Sequence, residues 1–219
     1  MTGDQLDVLP VSLPGREKRY VEAAYRSVET AIAGANDEVV QSLTGYSQVA
    51  IFGHGMGAVL AFEMARRLSC RLSPKVVLVA VSGAPDLMSP RQDYARGLSD
   101  EQFLDQVASF EAYTPKALAQ PQMRALLLQS LRADIELHER YVPLSAEALD
   151  VPVLAMRGTE DELVSSQQIL QWCHSTRASF TSVEIPGDHM YLRERPGAVL
   201  QAIGTVLEQI DCEAGALFR

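Results

Sequence analysis

Three short segments of the sequence carry groups that could do chemistry, and they occur in a fixed order. The first is the glycine-rich run GHGMG at residues 53–57, the second contains Asp161, and the third contains His189. A carboxylate that orients an imidazole makes it an effective general acid or base near neutral pH. We therefore predict that His189, with Asp161 as its partner, transfers protons.

Each of these segments follows a short apolar run that is typical of a buried strand. The runs cover residues 49–52, 151–156 and 180–185. Predicted helices separate them, and this alternation indicates a mostly parallel sheet flanked by helices. The carboxyl ends of parallel strands meet at one edge, where open α/β sheets place their sites. We expect the three segments to converge there.

The rest of the chain is predicted to form one domain over residues 1–219, with a helical lid inserted at residues 86–150. The lid prediction depends on a long stretch without a strand pattern, in which helices are expected at residues 100–109, 121–131 and 132–141. Further strands are predicted at 7–13 and 75–81, and further helices at 19–43, 58–68, 166–176 and 196–210.

The motifs are similar to those of one known family. A glycine-rich turn, then an acid, then a histidine is the chain order of α/β-hydrolases. Within that fold the sequence resembles the type II thioesterases, which release or clear acyl groups from carrier proteins in polyketide and nonribosomal peptide biosynthesis. The resemblance covers nearly the whole chain and rests on LPGRE at 13–17, FGHGMGA at 52–58, VSGA at 81–84, LRAD at 131–134, Asp161 and His189.

This resemblance assigns roles to individual residues. It implies that Asp161 and His189 are the catalytic acid and base, and that the backbone N–H of Met56 stabilises a developing oxyanion. It also implies an α/β-hydrolase-like fold and a substrate held on phosphopantetheine. Gly55 occupies the position at which the family has its serine nucleophile. Without that hydroxyl no acyl-enzyme can form at this turn.

A second departure concerns the start of the sequence. The family normally has an earlier strand, a glycine-rich loop and a helix before the segment that matches residues 13–17, and the loop supplies the other oxyanion N–H. We expect this sequence to begin after them. Because unpaired backbone groups in a core are costly, we expect residues 7–13 to pair directly with strand 49–52. The alternative is that a second protomer or a partner supplies the strand.

Three functions remain open on this sequence. The favoured one is non-hydrolytic acid/base chemistry by His189 and Asp161 on an acyl or polyketide intermediate, such as cyclisation, dehydration, isomerisation or epimerisation. The second is a serine-independent thioester hydrolase in which His189 activates water. The third is a non-catalytic module that binds an acyl chain or a carrier protein.

Four more side chains are candidates for the pocket. These are His54, Ser82, His138 and Tyr191, and for each of them a purely structural role is the alternative. His54 and His138 are more typical of packing, the first in the glycine-rich turn and the second in the lid. Ser82 ends a predicted strand and could serve as a relocated nucleophile.

Charge and composition limit the partners. The formal net charge of −9 argues against nucleic acid, whose binding needs clustered Lys and Arg, although an acidic carrier protein could use a local basic patch. No apolar run is long enough for a membrane span, and the start has no signal-peptide pattern, so we expect a cytoplasmic protein. Three cysteines without metal spacing predict neither a metal nor another cofactor. A homodimer formed through an exposed sheet edge stays open.

Overall fold

Four parallel strands form the centre of the fold. The structure is a computed structural model that describes residues 6–90, 97–110 and 120–216. The strands pair in chain order, and each is parallel to its neighbour. They are β1 (Gln48–His54), β2 (Lys75–Ser82), β3 (Val153–Gly158) and β4 (Phe180–Ile185). The α/β fold class and the four strands predicted at these places are therefore confirmed.

Helices cover both faces of this sheet. They are α1 (Val28–Ser42), α2 (Met56–Ser69), α3 (Asp100–Phe110), α4 (Pro121–Glu139), α5 (Ser166–Leu170), α6 (Tyr191–Glu194) and α7 (Pro196–Ala216). Short 3-10 turns occupy Glu17–Arg19 and Gln171–Ser175. No helix within the described ranges is long and apolar enough to cross a membrane.

Alternation along β2 divides the core between the two faces of the sheet. Val79 and Val81 belong to a cluster with α1 and α2, whereas Leu78 and Ala80 belong to a cluster with α7. Successive side chains of a strand point to opposite faces, so an unbroken apolar strand indicates burial on both sides. Every residue of β2 after Lys75 is buried, as this pattern predicts.

The strand predicted at residues 7–13 is wrong. Among the described residues, 6–13 belong to no strand, and β1 pairs only with β2. Pro10 cannot donate to a ladder. The segment is held by side chains instead, because Arg19 donates to the Ser12 carbonyl at 2.9 Å and Tyr46 donates to Asp7 at 2.9 Å. Residues 7–13 therefore do not move over to cover β1.

Four predicted helices have different bounds in the structure. The helix expected at 19–43 begins only at Val28, because the Ser27 side chain caps it by accepting from the Thr30 N–H. The helices expected at 121–131 and 132–141 form the single helix α4. The helix expected at 166–176 ends at Leu170 and continues as a 3-10 turn.

Between β2 and β3 the described residues contain helices but no strand. Helices α3 and α4 share a small apolar cluster built on Phe103, Val107 and Leu128. Parts of the predicted lid, residues 91–96 and 111–119, lie outside the described residues. The bounds 86–150 and the function of a lid stay predictions.

Candidate active site

The turn between β1 and α2 has the backbone geometry of a nucleophile elbow. Gly55 joins the strand to the helix with φ +55° and ψ −124°, a conformation that side-chain-bearing residues rarely adopt. Its N–H donates to the carbonyl of Ser82 at 2.8 Å, which ties the turn to the end of β2. The sharp, strained turn predicted for residues 53–57 is therefore present without a side chain at its tip.

The space at the tip of this elbow is open. Apart from its two chain neighbours, no atom of the described residues lies within 4 Å of a Cβ atom placed on Gly55. Met56 is the first residue of α2, so its N–H has no acceptor inside the helix and lies at the positive end of the helix dipole. A negatively charged oxygen would be stabilised there, and the oxyanion role of Met56 stays a prediction.

Asp161 and His189 are brought together from two loops at the carboxyl ends of β3 and β4. Nδ1 of His189 lies 2.9 Å from Oδ2 of Asp161, whose side chain is fully buried. The other carboxylate oxygen accepts from the backbone N–H groups of Leu163 at 2.9 Å and Val164 at 3.0 Å. Both carboxylate oxygens thus have partners, with three N–H groups around them, and the carboxylate is fixed in one orientation.

These bonds keep Asp161 ionised. Burial by itself would raise its pKa, but the hydrogen bond and charge of His189, together with the N–H groups of Val164 and Leu163, lower the pKa below its ordinary value. An ionised Asp161 accepts the proton on Nδ1 of His189. The other ring nitrogen, Nε2, is then the one available for proton transfer, and the catalytic role of His189 stays a prediction.

Arg157 supports the loop that carries Asp161, a role that the sequence analysis did not predict. Its guanidinium donates to the carbonyls of Val164 and Asp161 at 2.9 Å each, and to Oε1 of Glu184 at 2.6 Å. The available signal was an arginine near the end of an otherwise apolar strand, one residue before Gly158. A buried arginine needs acceptors for its donors, and the loop provides them.

Beneath the elbow, three polar side chains form a hydrogen-bonded chain. Residues His54 and Ser82 are partners in the register of β1 and β2, and Nδ1 of His54 lies 2.7 Å from Oγ of Ser82. Ser82 is in turn hydrogen-bonded to the hydroxyl of Tyr191. Ser82 and Tyr191 are completely buried. The Ser82 hydroxyl is thus bonded to both of its neighbours. That Ser82 and Tyr191 line the pocket, and that Ser82 is a relocated nucleophile, stay predictions.

His54 is packed against the base. Its ring centroid lies 5.1 Å from that of His189 and 5.7 Å from that of Tyr191. Burial, followed by the charge of His189, lowers the pKa of His54 to about 4, although Asp161 and the backbone of His189 act in the opposite direction. His54 is thus neutral at physiological pH.

Gly83 makes room for both rings. A Cβ atom there would lie 2.7 Å from Cε1 of His54 and 3.2 Å from Cε1 of His189, and the backbone φ is +54°. Only glycine satisfies the conformation and the close approach together. The Ser-Gly pair that ends β2 therefore serves the packing of the two imidazoles.

The last pocket candidate, His138, lies in the final turn of α4 and is half-buried. The described contacts do not assign it to the dyad, so its pocket role stays a prediction. A cavity of about 40 Å³ lies elsewhere, between α2 and the chain that leaves α4, and is lined by Phe62, Arg66 and Pro143 among others. Neither Asp161 nor His189 contributes to it.

Comparisons with known proteins agree with this geometry. The family model of the thioesterase domain matches residues 2–207. The gramicidin S biosynthesis protein GrsT of Aneurinibacillus migulanus is 32% identical over 87% of this chain and 74% of its own length. The solved structure of the RedJ thioesterase from the prodiginine pathway of Streptomyces coelicolor has a TM-score of 0.80 at 29% identity, covering 93% of this chain and 80% of its own. The type II thioesterase BorB from the borrelidin biosynthetic cluster gives 0.77 at 26% identity, over 90% and 79%.

Proposed function

The chain belongs to the thioesterase domain family, and from this premise we propose that it acts on an acyl or polyketide-like intermediate of nonribosomal peptide or polyketide biosynthesis. The names of its relatives support this pathway, because GrsT, RedJ and BorB are each described by the biosynthesis of one natural product. The intermediate would be held on phosphopantetheine, either on a carrier protein or as a released thioester.

The reaction that we propose is non-hydrolytic proton transfer by His189 with Asp161. One observation carries it: both carboxylate oxygens of Asp161 have partners and one of them holds Nδ1 of His189, whereas Gly55 offers no hydroxyl at the elbow. The covalent route of thioesterases needs that hydroxyl. General acid/base catalysis needs only an oriented imidazole and a place for the substrate carbonyl.

The steps balance without a covalent intermediate. Nε2 of neutral His189 takes a proton from the carbon next to the thioester carbonyl, and the electron pair moves onto the carbonyl oxygen. The N–H of Met56 faces this negative charge, and Asp161 stabilises the imidazolium. Return of the proton to the opposite face of the α-carbon gives epimerisation, whereas expulsion of a β-hydroxyl, which the same proton on His189 converts to water, gives dehydration.

The open elbow also favours a second candidate function. Since no described atom beyond the two chain neighbours lies within 4 Å of the Cβ position of Gly55, a water molecule has room where a serine hydroxyl would stand. His189 could then activate that water for direct attack on the thioester. This hydrolase lacks nucleophilic catalysis, so we expect it to be slow.

One substrate separates these candidates. We suggest S-3-hydroxybutyryl-pantetheine in D2O, with mass spectrometry for deuterium on the α-carbon, ultraviolet absorbance for the unsaturated product, and a thiol reagent for free pantetheine. We expect deuterium exchange or dehydration by the wild type, with thiol release at the level of the buffer. His189→Ala should remove the exchange, and Asp161→Asn should reduce it by about 100-fold, because it disturbs the tautomer of His189.

His174→Ala is the matched control, since His174 is exposed and outside the dyad. Its rates should equal those of the wild type. Thiol release that depends on His189 would replace the proposal by the hydrolase. Binding of the thioester without exchange or release, unchanged in His189→Ala, would replace it by a non-catalytic binding module.

A further inference from the structure

The hydrogen bonds that link Tyr191, Ser82 and His54 connect three segments whose relative positions the proposed chemistry requires. Tyr191 begins α6 two residues after His189, Ser82 ends β2, and His54 directly precedes Gly55. Ser82 is bonded through its hydroxyl to both neighbours and through its carbonyl to the Gly55 N–H. Ser82 therefore holds both the turn at Gly55 and the segment that carries His189 and Tyr191.

The number of buried groups left unpaired indicates which atoms donate in these hydrogen bonds. The Tyr191 hydroxyl is buried, and Ser82 is its described partner. If Tyr191 donates to Ser82, the Ser82 hydrogen is available for Nδ1 of His54, which then accepts. In the reverse direction the Tyr191 hydrogen would be buried without an acceptor, and Nε2 of His54 would lack a donor. The first direction leaves fewer buried polar groups unpaired.

The first direction fixes the state of His54. A ring that accepts at Nδ1 carries its single proton on Nε2, and that atom is buried with no hydrogen-bond partner in the described part of the chain. Placing a second proton on Nδ1 would require the Ser82 hydrogen to turn away from His54, which would leave either that hydrogen or the Tyr191 hydrogen without a described acceptor. Burial of the ring, which lowers its pKa to about 4, acts in the same sense.

From this arrangement we infer that Tyr191 and Ser82 lock His54 in the neutral Nε2–H form, and that this neutral ring positions His189 and leaves it as the only imidazole that carries the substrate proton. The two rings are 5.1 Å apart, so a charge on His54 would oppose a charge on His189. Tyr191, Ser82 and His54 are positioning residues, since they act through His189. The catalytic part of this inference rests on the proposed function, whereas the state of His54 does not.

Nitrogen-15 spectra of the histidine rings in the intact chain test the lock directly. In the wild type we expect His54 to be neutral, with its proton on Nε2, from pH 8 down to pH 5. Ser82→Ala and Tyr191→Phe should each give a mixture of the two tautomers, because the hydrogen at Nδ1 is no longer dictated. His54→Asn assigns the signals.

Tyr141→Phe is the matched control, because Tyr141 also buries its hydroxyl but bonds to Glu63, away from the elbow. It should leave the His54 signals unchanged. A proton on Nδ1 or a charged His54 in the wild type at pH 7 would overturn the inference without any variant. A tautomer that is unaffected by Ser82→Ala in a folded protein would also overturn it.

The catalytic consequence is measured with the exchange assay described above. For Ser82→Ala we expect kcat to fall by about tenfold with KM unchanged, because substrate contacts remain while the base loses its fixed neighbour. A rise in KM at unchanged kcat would contradict a positioning role. If the wild type catalyses no exchange, the proposed function fails, and the spectra still decide the state of His54.

Discussion

Gly55 combines the backbone of a nucleophile elbow with the absence of a side-chain hydroxyl. Its φ of +55° and ψ of −124° cost an ordinary residue about 1–3 kcal/mol, yet the turn keeps this geometry. The Ser82 carbonyl and the start of α2 maintain it, and neither depends on the side chain at position 55. The turn therefore has the backbone conformation in which a serine at position 55 could be placed.

Restoring that serine tests the remaining apparatus. We expect Gly55→Ser to hydrolyse S-3-hydroxybutyryl-pantetheine at least tenfold faster than the wild type, measured as thiol release, because His189 and Asp161 are already paired. Gly57→Ser is the control, since it also adds a hydroxyl into open space in the same turn. Equal rates for the two variants would mean that the second oxyanion donor is missing or that His189 cannot reach position 55.

His54 should make the protein less stable in mild acid. Its folded pKa of about 4 is below the ordinary value of 6.5, so the unfolded chain binds the extra proton first as the pH falls. Stability is fully present above pH 6.5 and is lost toward pH 4. Between pH 7 and pH 5 we expect the free energy of unfolding to fall by about 2 kcal/mol more in the wild type than in His54→Asn. Urea titrations at both pH values measure this difference.

At the scale of elements, polar contacts bind helix α4 to the rest of the protein at two places, near its middle and just after its end. Arg16 donates to both oxygens of Asp134 at 2.8 and 2.7 Å, and Glu63 in α2 accepts from Tyr141 just after the helix. Burial raises the pKa of Asp134, and Arg16 opposes that rise. Helices α3 and α4 share an apolar cluster of their own, and Leu137 of α4 also packs in the main core, so the polar contacts add to an apolar attachment.

Breaking the Arg16–Asp134 pair should loosen this attachment. For Arg16→Gln we expect protease cleavage within residues 86–150 to be about tenfold faster, while the free energy of unfolding falls by about 1–3 kcal/mol. Arg19→Gln is the control, because Arg19 forms exposed ion pairs with Glu22 and Glu38 and none with α4. Equal cleavage rates for both variants would show that the pair does not hold the helix.

At the scale of the whole molecule, β1 is an edge strand among the described residues. It has no charged residue over 48–54, and 38% of Phe52 is exposed. Edges of this kind favour pairing with another strand. Since residues 7–13 do not provide one, the alternative of a second protomer or a partner stays a prediction, and a homodimer through β1 is its simplest form.

A charge on this edge should separate such a dimer. We expect the mass of the wild type, measured by sedimentation, to rise with concentration and that of Phe52→Lys to stay at the monomer value. Leu72→Lys is the control, because Leu72 is fully exposed in the turn after α2. A wild type that is monomeric at all concentrations would exclude association through β1.

The sequence by itself determined the parts of this protein that local pattern controls. Apolar runs predicted the four strands, and their loops predicted where the elbow, Asp161 and His189 would be. The spacing of apolar residues and the residue types of turns are local properties of the sequence, so they can be recognised without knowing what packs against each segment. The sequence also shows that position 55, where the family resemblance implies a serine nucleophile, is a glycine.

Only the tertiary structure decided what lies beneath the site. Ser82 and Tyr191 are 109 positions apart in the sequence, yet they form a hydrogen bond. From its place at the end of a strand Ser82 is a candidate nucleophile, but in the structure it is buried. The same holds for Arg157 under the acid loop and for residues 7–13, whose strand pattern is overridden by side-chain contacts. Hydrogen-bond partners across a sheet depend on register and on which face each loop approaches. Those quantities are set by the packing of the whole molecule, so no local window of sequence contains them.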